Sequence, residues 1–129
     1  MKAIRTFAFW AVLALALAAA SNFAADQTWT GSLVDASCYL KDGASMASGN
    51  NHMGMKDCGT VCLKMGQPAG ILTPEKKLIL LILPSPAVAD YVEQPIRVTG
   101  TLKNGAIVVT KFEVKKGDGW KTVKLPNMM

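Results

Sequence analysis

The chain has 129 residues, half of them hydrophobic, a formal net charge of +5, three cysteines and one histidine. That length is enough for one small domain with one core and no more. An odd cysteine count excludes a fully paired disulfide framework within one chain.

Lys2 and Arg5 precede an apolar run over residues 7–20, and small residues follow. This is the order of a secretory signal peptide, and the run is short for a span of about 20 residues. Residues 18–20, all alanine, suit the cut, whereas Phe23 disfavours one after Ala25. The expectation is a signal peptide over residues 1–25, cut between 20 and 25, and a periplasmic or secreted domain over 26–129 that no longer meets the membrane. A retained anchor is the alternative. Without Lys2 and Arg5 the chain keeps 12 basic and 9 acidic residues. They divide unevenly: residues 26–96 hold 5 basic and 7 acidic, and residues from Arg97 onward hold 7 and 2. The basic carboxyl half suits an anionic partner such as a membrane or glycan, against the plainer reading of a solvated strand face. Nucleic acid is not expected outside the cytoplasm.

Residues 28–34 alternate, with Trp29 and Leu33 toward a core, and read as the first strand. Residues 35–56 read as an irregular loop rich in Gly, Asn, Asp and Ser, carrying Cys38, His52 and the methionines Met46, Met53 and Met55. A loop this long in a small domain has a purpose more often than not. Residues 58–65 read as a short helix, with Asp57 as N-cap and Gly66 ending it in the left-handed conformation. Cys58 and Cys62, four residues apart, share one face of it, with Cβ atoms roughly 5–6 Å apart.

Residues 71–73 form a short strand, and the apolar run 78–83 a strand covered on both faces, ended by Pro84. Residues 85–92 read as a short helix with Ser85 as N-cap and Pro86 at its first position. Residues 96–102 and 107–114 form a hairpin around Asn104-Gly105, a pair that favours a type I′ turn. Residues 120–124 add a weaker last strand. Five main strands, with a Cys-bearing loop and short helix inserted after the first (lobe 35–67) and a short helix between the third and fourth, give the order of a small OB-like Greek-key barrel. Trp29, Leu33, Ile79, Leu81, Val98 and Val108 are the expected interior.

The pattern Trp29-x-Gly31-x-Leu33-Val34-Asp35-x-x-Cys38, then His52, then Cys58-x-x-x-Cys62-x-x-x-Gly66-x-Pro68, then Ile96-x-Val98-Thr99-Gly100-Thr101, resembles small secreted bacterial proteins of uncharacterised function. The resemblance covers most of the mature chain through short motifs. It implies an exported single domain on an OB-like barrel with a shared cysteine/histidine centre, and it implies no particular reaction. The methionine-rich loop falls outside the pattern.

Three readings of the cysteines follow. Cys38, His52, Cys58 and Cys62 make a soft ligand set suited to zinc or copper, with Met53 and Met55 as extra thioethers and Asp35 supporting from behind. Alternatively, Cys38 pairs with Cys58 or Cys62 in a disulfide, leaving one thiol and a purely structural role in a ligand- or protein-binding barrel. In the third, Cys58 is a nucleophile at a helix start, assisted by His52. Asp35 is equally a turn residue ending the first strand. No polar constellation on the barrel suggests an enzyme. The reading carried forward is an exported binding module whose lobe holds a soft metal ion or a metal-bearing partner.

Overall fold

The computed structural model describes residues 25–43, 49–52 and 54–126; the side chain of His52 is outside this description. The expected signal peptide, Met46 and Met53 also lie outside the described residues, apart from Ala25 at the signal's end. No helix among the described residues is long and apolar enough to cross a membrane.

Strand β1 (Gln27–Asp35) is central and pairs antiparallel with β4 (Ala69–Leu72) on one side and β6 (Pro95–Lys103) on the other. Strand β5 (Leu78–Ile82) joins β4, and β7 (Ala106–Lys116) joins β6. A short parallel pairing of β5 with β7, from Leu80–Ala106 to Ile82–Val108, closes these five strands into a ring. The result is a small β-barrel of OB type. Strand β8 (Gly119–Val123) pairs with the far half of β7, so this long strand divides its second edge between two partners.

Asn104 and Gly105 both take positive φ, at 50° and 81°, as a type I′ turn between β6 and β7 requires. The barrel is filled by Leu33, Ile71, Ile79, Leu81, Ile96, Val98, Ile107, Val109, Phe112 and Val114. Trp29 packs against this core while remaining partly exposed.

Several expectations need correction. Val108 is half-buried, and its neighbours Ile107 and Val109 point inward instead. The register slips between Thr99 and Gly100, which leaves Thr110 unpaired as an extra residue on β7. The inward positions therefore change from 107 and 109 to 112 and 114, as a bulge dictates. The apolar run of β5 is not covered on both faces: Ile79 and Leu81 are buried, but Leu80 and Ile82 are exposed. The helix expected over residues 85–92 is two 3₁₀ turns, Ser85–Ala87 and Ala89–Tyr91, with Pro84 rather than Ser85 at the first cap.

The lobe is also more ordered than its composition suggests. Residues Ala36–Asp42 form helix α1, which ends at Gly43 with φ 67°. Two-residue strands β2 (Asn51–His52) and β3 (Met55–Lys56) pair as a small hairpin, and helix α2 spans Cys58–Lys64.

Candidate metal centre

The end of β1 and the start of β4 bring the lobe together. Asp35, the last residue of β1, pairs in register with Ala69, the first of β4. Helix α1 leaves at the first point, and α2 arrives at the second through Gly66, Gln67 and Pro68. The junction is tied twice more. The Ala36 N–H donates to the Pro68 carbonyl at 3.0 Å, and Ser37 Oγ donates to Gln67 Oε1 at 3.1 Å. The first turn of α1, which carries Cys38, is thereby held against the last turns of α2.

Asp35 sets the direction of α1. It is 1% exposed, and its Oδ1 accepts from the N–H groups of Ser37 at 2.8 Å and Cys38 at 3.3 Å. This is a helix N-cap, and it realises the turn-residue reading of Asp35 more fully than an isolated turn would. Asp35 Oδ2 is buried with no hydrogen-bond partner of ordinary geometry.

Helix α2 is capped differently from expectation. Asp57 sits at the cap position but in the left-handed region, at φ 57°, and its side chain makes no cap bond. Asn50, from the loop before the small hairpin, takes that role. Its Oδ1 accepts from the Thr60 N–H at 2.9 Å and from Thr60 Oγ1 at 3.2 Å. Gly59 permits the approach, since a Cβ there would collide with the Gly49 carbonyl. At the far end Gly66, at φ 90°, donates to the Leu63 carbonyl, and Gln67 to that of Cys62. This is the Schellman arrangement and matches the expected glycine stop. Leu63 is fully buried and fixes α2 to the barrel core and the 3₁₀ turns. With that face inward, Cys58 and Cys62 are left half-buried beside Cys38.

The three sulfurs lie within 4.8 Å of one another, and all three are free thiols. Two thiolates on one tetrahedral ion at about 2.3 Å sit roughly 3.8 Å apart. The cluster therefore lies within about 1 Å of ligand spacing, which side-chain rotation covers. Burial pushes the Cys38 thiol up to about 12, and the Asp35 carboxylate beside it adds to the push. The same two causes, in the same order, raise Cys62 to about 11. A bound cation reverses this balance, because it favours the thiolate outright. An activated nucleophile needs the opposite shift, so neither Cys38 nor Cys62 is one.

Cys38, Cys58 and Cys62 thus converge as the metal reading requires. The backbone of His52 lies in β2, which packs on α2. Met55 lies in β3 with an exposed side chain. Asn50 and Gly59 were not recognised from sequence as site-building residues. Their signals were a Gly-Asn-Asn run and a glycine inside a helix, both of which ordinarily mark only a loop and a weak helix. No family model, curated protein or solved structure matches the chain.

Proposed function

We propose that this chain is an exported soft-metal-binding module, an OB-type barrel whose lobe holds zinc or copper through Cys38, Cys58 and Cys62. The observation that carries the reading is the convergence of three free thiols, from two helices separated in sequence, to within 4.8 Å. Three thiolates form a soft donor set, and they leave a tetrahedral ion one further position. His52, whose strand packs on α2, is the protein donor proposed for it, with Met53 and Met55 as further thioethers for copper. Export is supported by the basic and apolar order of the first 20 residues and by the resemblance to small secreted bacterial proteins.

The test is elemental analysis of the purified native protein alongside a mass-spectrometric thiol count. One zinc or copper per chain with three reduced cysteines is the expected result. A Cys38 disulfide and no bound metal would sink the proposal and leave the cysteines a structural role. In that case Cys-to-Ser variants would lose stability without losing any ion.

A further inference from the structure

The two oxygens of Asp35 stand in different situations. Oδ1 closes the first turn of α1. That task needs only an acceptor, and a neutral asparagine or serine performs it about as well. Oδ2 is buried with no hydrogen-bond partner of ordinary geometry, and the groups set against the carboxylate are the Cys38 and Cys62 thiols. Burying a second carboxylate oxygen carries a desolvation cost that a neutral cap residue avoids, so the cap alone does not explain an aspartate here. The same carboxylate stands close enough to Cys38 and Cys62 to act on both thiols. Asp35 therefore sets a buried carboxylate against two of the three sulfurs.

We infer that Asp35 biases the thiol centre toward a divalent cation such as Zn²⁺ and against a monovalent one such as Cu(I). The inference rests on the metal-binding reading and specifies the class of ion. A bound metal requires the thiolate form of its ligands. Three thiolates and Asp35 then bring four negative charges together. A doubly charged ion leaves two of these uncompensated and a singly charged ion leaves three. The thiolate–carboxylate repulsion is common to both complexes. The attraction between Asp35 and the ion doubles with the ion's charge, and burial keeps solvent from screening it. Asp35 therefore changes the ratio of the two affinities, whatever it does to each alone.

The experiment compares wild type with Asp35→Asn, in full-length processed protein under anaerobic reducing conditions. Each is titrated with Zn²⁺ and with Cu(I) against competing chelators, with far-UV circular dichroism to check folding. The asparagine keeps the cap and removes the charge. The expected result is a fall of about tenfold or more in the Zn²⁺-to-Cu(I) affinity ratio. A role confined to capping α1 would shift both affinities together, so an unchanged ratio in a protein that binds both ions overturns this inference alone. A wild type that takes up neither ion at one per chain overturns the metal centre and this inference with it. Should Asp35→Asn fail to fold, Asp35→Ser also retains a cap acceptor without the charge, and the same ratio decides.

Discussion

Cys38 and Cys62 hold their protons through the neutral range, pushed up to about 12 and about 11 by burial and by Asp35. A metal ion must displace both protons, so affinity grows as pH rises toward those values. These two sites alone give about a hundredfold per pH unit near neutrality. Zinc titrations at several pH values read that slope, and a flat profile would exclude these thiols as ligands. Glu113 shows the opposite case. Arg97 grips it through two hydrogen bonds at 2.7 and 2.9 Å, and Lys111 lies 3.0 Å away. The Arg97 bonds are the main reason its carboxyl is lowered to about 2. A depressed carboxyl stabilises the fold above the ordinary carboxylate range, and that contribution fades as pH falls through about 2. Arg97→Ala, which also frees Trp120 from the guanidinium 4.7 Å above its ring, is expected to lower the urea unfolding midpoint at pH 7. The loss should shrink in acid. Individual residues were legible from the sequence where one local rule decided them: Gly66 as a helix stop, Asn104-Gly105 as a turn. Asp57 was misread because a cap needs extended backbone as well as an acceptor, and only coordinates give its φ of 57°.

Among the elements, α2 depends most on its neighbours. It spans seven residues, contains a glycine and two β-branched residues, and lacks a cap of its own. Helices of that length do not persist alone in water. Asn50 holds one end, Leu63 the buried face, and Gly66 the other end. Asn50→Ala is expected to cost about 1 kcal/mol in denaturant unfolding. Gly59→Ala forces the Gly49 backbone away and is expected to cost about 1–3 kcal/mol. Both should weaken metal binding while leaving the barrel strands intact by circular dichroism. Equal zinc affinity in all three proteins would show that the thiols meet without this cap. Helix α1 was missed at the sequence level because two turns are too few for hydrophobic periodicity to register. Its signals were the two ends, Asp35 as cap and Gly43 with positive φ. The barrel strands were legible, because alternation and turn residues repeat over longer stretches, whereas the two-residue strands β2 and β3 were read as loop. What escaped was the phase of β7, since one unpaired residue at Thr110 changes which side chains face inward and leaves no mark in composition.

At the scale of the whole molecule, barrel and lobe divide the work. The barrel supplies the core and the fixed junction of Asp35 with Ala69, and the lobe supplies the sulfurs. The convergence of Cys38 with Cys58 and Cys62 was an inference from residue type, and neither spacing nor periodicity required it. Long-range strand pairing does. The ring itself closes through only three residue pairs, Leu80 to Ile82 of β5 against Ala106 to Val108 of β7. Every other strand contact of the ring is antiparallel. Amide hydrogen exchange is expected to be faster along this seam than in the β1–β6 ladder. Uniform protection around the ring would argue against a weak point there. Leu80 and Ile82 lie along the seam with exposed side chains. A barrel that parts at this line on heating unrolls into an open sheet with two fresh borders, one already greasy. Such a sheet joins its own kind edge to edge, so aggregation on warming should begin at β5, and a lysine in place of Ile82 should delay it.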